Sequence, residues 1–239
     1  MILGIYGFQD SGKTNTVEKL VSALSRKGYK VASVKHSPHK KSVDCEGKDT
    51  WRHWKAGSDP VAFSSDVETA VIRHSKMSAD AIAGMIEREF NPDVIIFEGF
   101  KEGVFPKVAI GDIEPRTGTV LVNPKLERLV AFVEREVAVE RALAQLAGLD
   151  CGKCGLDCRS LAEAIVDGKR KVRDCAELSD IKVEIRVDGK RVAAGRFVSS
   201  LVDGTVRGMI GTLKGAEPGG AVEIRLQSMK GVPKKRRKR

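Results

Sequence analysis

The chain opens with Ile2, Leu3, Ile5 and Tyr6, a short and mostly apolar run of the kind a strand buried on both faces requires. Residues 7–14 interrupt it. Val17, Leu20, Val21 and Leu24 then recur at i, i+3, i+4 and i+7, which places one apolar stripe along a helix. Gly28 follows and suits a left-handed cap. Residues 31–34 predict the next strand. Strand, helix and strand in this order form a βαβ unit, whose crossover makes the two strands parallel.

Further along, a polar loop covers residues 36–48, and Asp49 is placed to cap a short helix over 50–54. Short strands are predicted at 61–64 and 69–73. Ser78 starts a helix with Ile82, Met85 and Ile86 on one face. Pro92 introduces the apolar strand 93–97, and further strands are predicted at 107–110 and 119–122. Residues 127–146 predict a charged helix with Leu129, Val130, Val133 and Val137 as its stripe. At Gly148 the composition changes. A cysteine cluster surrounds a short predicted helix at 159–166. Ile181, Val183, Ile185 and Val187 then alternate with polar residues, as in a half-buried strand, and Asp188-Gly189 signals a hairpin turn. A helix over 197–213 and an alternating strand over 222–226 complete the pattern, and no internal repeat is found.

The segment between the first strand and the first helix reads GFQDSGKT, matching G-x-x-x-x-G-K-[ST] at every fixed position and in the strand-to-helix context that motif needs. Gly7, Phe8, Gln9, Asp10, Ser11, Gly12, Lys13 and Thr14 are the candidate phosphate-binding residues. The glycines let the backbone curl so that successive N–H groups face an anion, and the helix N-terminus adds partial positive charge. Lys13 can reach β- and γ-phosphates, and Thr14 can place its hydroxyl on Mg²⁺. Two acidic residues stand where a parallel sheet presents them for metal or water. Glu98 ends the strand DVIIF at the carboxyl edge, and Asp49 follows the long loop after the second strand. Both are candidate catalytic and magnesium-side residues. Lys35, His36 and His39 lie beside the same edge, and His36 and His39 with Cys45 form a weaker candidate metal set. Trp51 and Trp54 read as packing residues. The N-K-x-D signature of many GTPases is absent, so motif spacing alone leaves GTP and ATP open.

Cys151, Cys154, Cys158 and Cys175 are spaced C-x2-C-x3-C-x16-C. With no export signal visible, clustered cysteines read as metal ligands before disulfides. Four thiolates fit a [4Fe–4S] cluster or Zn²⁺. Three close ligands and one distant ligand favour iron–sulfur, with zinc as the alternative.

Charge and composition narrow the classes. The 239 residues carry a formal charge of +10, of which the basic tail 234–239 supplies six. The rest is close to neutral, which does not point to a nucleic-acid-binding fold. The longest apolar strand, Val94-Ile95-Ile96-Phe97, falls far short of the ~20 residues of a membrane span. The start of the chain lacks the basic-then-apolar order of a secretory signal, so a cytoplasmic protein is expected. Together these readings predict an α/β protein: a P-loop NTPase domain with a mostly parallel sheet over 1–147, a small four-cysteine iron–sulfur segment over 148–178, a small C-terminal α/β module over 179–232 and a basic tail over 233–239.

The succession GFQDSGKT, VASVKHSPH, KDTWRHWKAGSD and DVIIFEGFK resembles the molybdopterin-guanine dinucleotide biosynthesis protein B family over roughly residues 1–147. The resemblance implies a homodimeric, GTP-binding P-loop protein with weak hydrolysis of its own. Its role is to assist a partner guanylyltransferase that attaches GMP to the molybdenum or tungsten pterin cofactor. It assigns phosphate binding to residues 7–14 and the magnesium side to Asp49 and Glu98. The segment CGKCGLDCRSLAEAIVDGK…DC resembles the small iron–sulfur domain of corrinoid iron–sulfur proteins and the C-terminal extension of longer archaeal members of the guanylation family, which implies [4Fe–4S]. A metallochaperone-type GTPase and a P-loop kinase of a small metabolite are the alternative functions.

Overall fold

The computed structural model describes residues 1–37, 42–100, 103–178, 183–187, 190–215 and 219–224. It divides into two compact units: Met1–Gln145 with Arg159–Val172, and Leu146–Cys158 with the chain from Arg173 onward.

The first unit contains strands β1 (Ile2–Gly7), β2 (Val31–Lys35), β3 (Val61–Ser64), β4 (Thr69–Ile72), β5 (Val94–Glu98), β6 (Lys107–Ile110) and β7 (Thr119–Val122). Its helices are α1 (Lys13–Arg26), α2 (Asp49–Lys55), α3 (Ala79–Phe90) and α4 (Leu126–Gln145), with most of α5 (Cys158–Val166). Five strands form one sheet in the order β2-β5-β1-β6-β7, and every neighbouring pair is parallel. β3 and β4 form a separate antiparallel hairpin.

The order explains the apolar runs. β1 and β5 each have a parallel neighbour on both sides and helices on both faces, so neither face of either strand meets water. α1 turns Val17, Leu20 and Leu24 onto Leu3, Ile5, Val94 and Ile96, and α4 closes the same core with Leu129, Val133 and Val137. On the opposite face, Ala83 of α3 packs with Ile95, Phe97 and Phe105. Side chains alternate along β5, so Val94 and Ile96 face α1 while Ile95 and Phe97 face α3. The carboxyl ends of β1, β2, β5, β6 and β7 therefore lie along one edge, where ligands of open α/β sheets bind.

Asp93, just ahead of β5, ties this core together. Its carboxylate accepts from the Lys30 amide at 2.8 Å and from the Arg141 guanidinium at 2.6 Å. The Lys30 amide, then Arg141, hold the Asp93 carboxyl below the usual carboxylate range. A group with a depressed native pKa stabilises the fold fully above its unfolded value of about 3.9 and loses that contribution as pH falls through the native value. Asp93→Asn should cost about 1–2 kcal/mol in urea unfolding at pH 7. The gap between wild type and variant should narrow as pH falls below about 4, and a pH-independent gap would remove the charge from this account.

Three elements differ from expectation. Asp49 is not a cap: Lys48 is the N-cap of α2, and Asp49 is its first helical residue, where a carboxylate still favours the positive helix end. In the second unit α6 (Arg196–Ile210) ends three residues before the expected end at 213, with Gly211 as its C-cap. Residues 222–224 form no strand, and 225–226 lie outside the described residues. Strands β8 (Ile185–Val187) and β9 (Lys190–Val192) pair as the expected hairpin. Its turn at 188–189, residues 179–182 and the tail at 233–239 lie outside the described residues.

Candidate functional site

β1 ends at Gly7, and no larger residue fits there. A Cβ would stand 2.2 Å from the Ile110 carbonyl oxygen of β6 and 2.6 Å from the Ser11 hydroxyl. The loop then curls through Asp10 at φ 59° and Gly12 at φ 86°, both left-handed, before α1 begins at Lys13. Asn123, past the end of β7, braces the neighbouring strand end: its Oδ1 accepts from the Gly111 amide at 2.7 Å, and its Nδ2 donates to the Gly111 carbonyl at 3.1 Å. The Lys13 ammonium donates to the Phe8 carbonyl and lies 3.4 Å from the Ser11 hydroxyl. A cation and the first amides of a 14-residue helix thus meet at one curled loop.

Register supplies the carboxylate. Ile5 pairs with Glu98, and Glu98 pairs with Lys35, so the three form one row across β1, β5 and β2. Glu98 shares the sheet face of Val94 and Ile96, the face that α1 covers. Thr14 in the first turn of α1 donates its hydroxyl to Glu98 Oε1 at 2.9 Å, and the Lys35 ammonium forms an ion pair with the same oxygen. The Glu98 side chain is only 8% exposed, and a carboxylate so buried needs such partners. Thr14 and Glu98 together present a hydroxyl and a carboxylate at the base of the loop. These are hard oxygen donors, and their chemistry fits Mg²⁺ bound mainly by phosphate and water.

Asp49 has a different neighbourhood. Its side chain is 89% exposed, lies 3.8 Å from Arg52, and does not line the cavity beside the loop. His36 does line that cavity. Its amide donates to the Glu98 carbonyl at 2.8 Å, and its ring lies 4.3 Å from that of Phe100. His39 lies outside the described residues and Cys45 is exposed. Trp54 packs, as the sequence suggests, but no sequence pattern marks its partner: it stacks on His74 at 4.0 Å, and His74 Nε2 lies 3.1 Å from the buried Asp44 carboxylate.

The cavity has a volume of about 850 Å³. Gly7, Phe8, Gln9 and Lys13 form one part of its wall, and Lys35, His36, Phe100, the 76–80 segment and Arg116 form much of the rest. Sequence reasoning missed Lys76 and Arg116. No motif marks either, and Arg116 is placed by a long-range bond from its amide to the Tyr6 hydroxyl at 2.8 Å.

In the second unit Asp150, Gly152 and Gly155 all have positive φ, and the loop winds tightly enough for the Gly155 amide to reach the Gly152 carbonyl at 2.8 Å. Asp150 accepts from the Cys158 amide at 2.8 Å and donates its own amide to Cys158 Sγ at 3.3 Å. Burial pushes the Cys158 thiol up. Lys153 pairs with Glu177 at 2.5 Å, so the loop with Cys151 and Cys154 is tied to the segment that follows Cys175. Cys175 is buried, Cys154 and Cys158 are half-buried, and Cys151 is exposed. A set of four thiols is chemically suited to iron–sulfur or zinc. The side chains do not stand as a closed ligand shell: among the described residues no group of three or more His, Cys, Asp or Glu is drawn together to hold a metal.

The family model for molybdopterin guanine dinucleotide synthesis protein B, MobB, matches residues 2–135. The chain belongs to the MobB family. A second family model, FeS, describing a candidate Fe-S cluster, matches residues 146–176 and so spans all four clustered cysteines of this MobB chain. A protein of Methanocaldococcus jannaschii, named as a candidate molybdopterin-guanine dinucleotide biosynthesis adapter, is 30% identical over 239 residues, covering 96% of this chain and 98% of its own. The Haemophilus influenzae protein named molybdopterin-guanine dinucleotide biosynthesis adapter is 38% identical over 111 residues, covering 46% of this chain and 62% of that one. The crystal structure of Bacillus subtilis MobB aligns with TM-score 0.45 at 22% identity, covering 56% of this chain and 95% of that one. The expected mostly parallel P-loop architecture of a MobB protein is what the sheet shows. Among the described residues no helix is long and apolar enough to cross a membrane.

Proposed function

We propose that this MobB-family adapter of molybdopterin-guanine dinucleotide biosynthesis binds GTP–Mg²⁺ through residues 7–14. It would hold the nucleotide for a partner guanylyltransferase that joins GMP to a molybdenum or tungsten pterin. The observation that carries the reading is Glu98, which accepts from the Thr14 hydroxyl and pairs with Lys35 at the foot of a glycine-bounded loop. The loop amides and Lys13 take the phosphates. Thr14 gives its hydroxyl to Mg²⁺ and Glu98 serves the metal's water side. Mg²⁺ supplies neutralisation of the triphosphate. The ion pair with Lys35 engages Glu98, a carboxylate at the foot of the loop that could orient an attacking water, so hydrolysis by the chain alone is slow. The choice of GTP follows the guanine in the relatives' names. Asp49 keeps the role of an acidic partner brought in when nucleotide binds.

On this reading residues 1–147 are the GTP-binding domain and 148–178 the iron–sulfur segment, in which Cys151, Cys154, Cys158 and Cys175 hold [4Fe–4S]. The chain works as a homodimer, a state supported by exposed apolar residues Phe63, Val67 and Val71 on the β3–β4 hairpin. The test is a reconstituted guanylation reaction containing the partner enzyme, pterin cofactor and GTP. Adding the full chain should raise the rate of dinucleotide formation several-fold at limiting GTP. An unchanged rate at every GTP concentration sinks the adapter mechanism.

A further inference from the structure

We propose that Asp150 is a positioning residue for the iron–sulfur centre: it fixes the Cys158 sulfur before metal arrives and keeps a main-chain N–H on that sulfur afterwards. The inference rests on the reading of Cys151, Cys154, Cys158 and Cys175 as cluster ligands, and it concerns a residue that is not itself a ligand.

Asp150 stands next to Cys151, yet its carboxylate and its amide both reach Cys158, eight positions on. Its Oδ1 accepts from the Cys158 amide at 2.8 Å, and its own amide donates to Cys158 Sγ at 3.3 Å. One residue thus closes the loop that carries Cys151, Cys154 and Cys158. The closure depends on an unusual backbone. Asp150 has φ 47°, a left-handed conformation that few residues besides glycine adopt, and that aspartate and asparagine tolerate because their short polar side chains bond locally. The turn lets one residue aim its amide and its side chain at the same partner. Cys158 in turn opens α5, whose Leu161 and Ala162 are buried, so the atom being held belongs to an anchored helix. The Asp150 carboxylate also suits the positive end of that helix.

The direction of the sulfur bond matters for a ligand. The partner of Cys158 Sγ is a donor. Cys154 shows the other case, because its thiol donates to the Leu156 carbonyl at 3.4 Å. A metal-bound thiolate has no proton to give, so metal binding ends the Cys154 bond and leaves the Cys158 bond in place. Hydrogen bonds to ligand sulfurs are one of the means by which a protein sets the potential of an iron–sulfur centre, and residues behind the ligands orient them. A preset sulfur is useful here because, among the described residues, no three ligating side chains are drawn together beforehand. Loading has to bring the other thiols to one that is already fixed. Between the two ends of the loop, nothing stands within 4 Å of the place a Cβ would take at Gly152 or Gly155, so the stretch with Cys151 and Cys154 has room to close.

The test is the rate at which the anaerobically loaded full chain releases iron to a chelator, measured together with the reduction potential of the centre. Asp150→Asn keeps an oxygen acceptor and tolerates the left-handed turn, so its release rate should stay within about twofold of wild type. Asp150→Ala loses the acceptor and strains the turn, and it should release iron about tenfold faster. Both variants remove the same negative charge, so the difference between them reports the two bonds alone. With the N–H no longer held on sulfur, Asp150→Ala should be reduced at a lower potential than Asp150→Asn. Asp150→Gly keeps the turn and the amide without the carboxylate. It should release iron several-fold faster than Asp150→Asn while its potential stays close to that variant's, and it carries the rate comparison if the alanine variant takes up no iron. Equal release rates across the substitutions, or equal potentials in the loaded asparagine and alanine variants, would overturn the proposal. Wild type that carries no iron defeats the cluster reading and this inference with it, whereas iron-loaded wild type with indifferent variants defeats only the role of Asp150.

Discussion

Replacing Lys13 with alanine is expected to remove GTP–Mg²⁺ binding from the calorimetric range, a loss of about 100-fold or more. The loop supplies two kinds of attraction to a triphosphate. One is the set of amides aimed inward by the left-handed turns at Asp10 and Gly12, which the substitution leaves in place. The other is the Lys13 ammonium, held over the loop by the Phe8 carbonyl. At about 4 Å from a phosphate oxygen and an effective dielectric near 20, one unit charge contributes roughly 4 kcal/mol before desolvation. Losing even three-quarters of that costs about two orders of magnitude in affinity. Lys13 is in the first turn of α1, and its substitution opens no core cavity because the buried face of α1 is Val17, Leu20 and Leu24. The variant should therefore unfold at nearly the wild-type temperature. Unchanged GTP affinity in a folded variant would mean that the triphosphate does not sit in this loop.

Much of this site can be read from the sequence because its chemistry is local. A phosphate loop needs its glycines, lysine and threonine within eight residues, and the flanking apolar runs already identify strand and helix. Glu98 is legible for a related reason, since an acidic residue closing an apolar parallel strand must stand at the ligand edge. What escapes is what register decides. Lys35 reads as a residue beside the second strand, but only the pairing of β2 with β5 shows that it stands level with Glu98. Lys76 and Arg116 are further removed, because Arg116 depends on a hydroxyl 110 positions earlier in the chain. Asp49 shows the opposite error. Its type and place ahead of a helical stretch suggest a cap, yet the chain turns one residue sooner, at Lys48. Alternation also misleads near the end of the chain. Val222 and Ile224 have the period of a strand, but residues 222–224 form none. A strand is specified by a partner as much as by its own period.

Cys175→Ser should strip the anaerobically purified chain of most of its iron, from about four atoms to fewer than one, and with it the broad absorption near 400 nm. Cys151, Cys154 and Cys158 come from one tightly wound loop and the start of α5, so any of them can be approached from solvent as the cluster loads. Cys175 follows α5 in the chain and is 7% exposed, and on the proposed reading it is the fourth ligand. A serine there offers a harder, more basic oxygen that binds iron poorly at neutral pH, and no other cysteine is close in sequence to replace it. The Lys153–Glu177 pair ties the two ligand-bearing segments together at the protein surface, and an exposed ion pair of that kind contributes too little to hold them once the cluster is gone. The variant should accordingly show faster proteolysis within residues 146–178. The proposed cluster takes Cys151, Cys154, Cys158 and Cys175 as its ligands, and all four lie within the family match over 146–176. Full iron content in Cys175→Ser would remove the fourth ligand from the proposal. Stoichiometric zinc in the anaerobic wild type, with no visible absorption, would replace the cluster altogether.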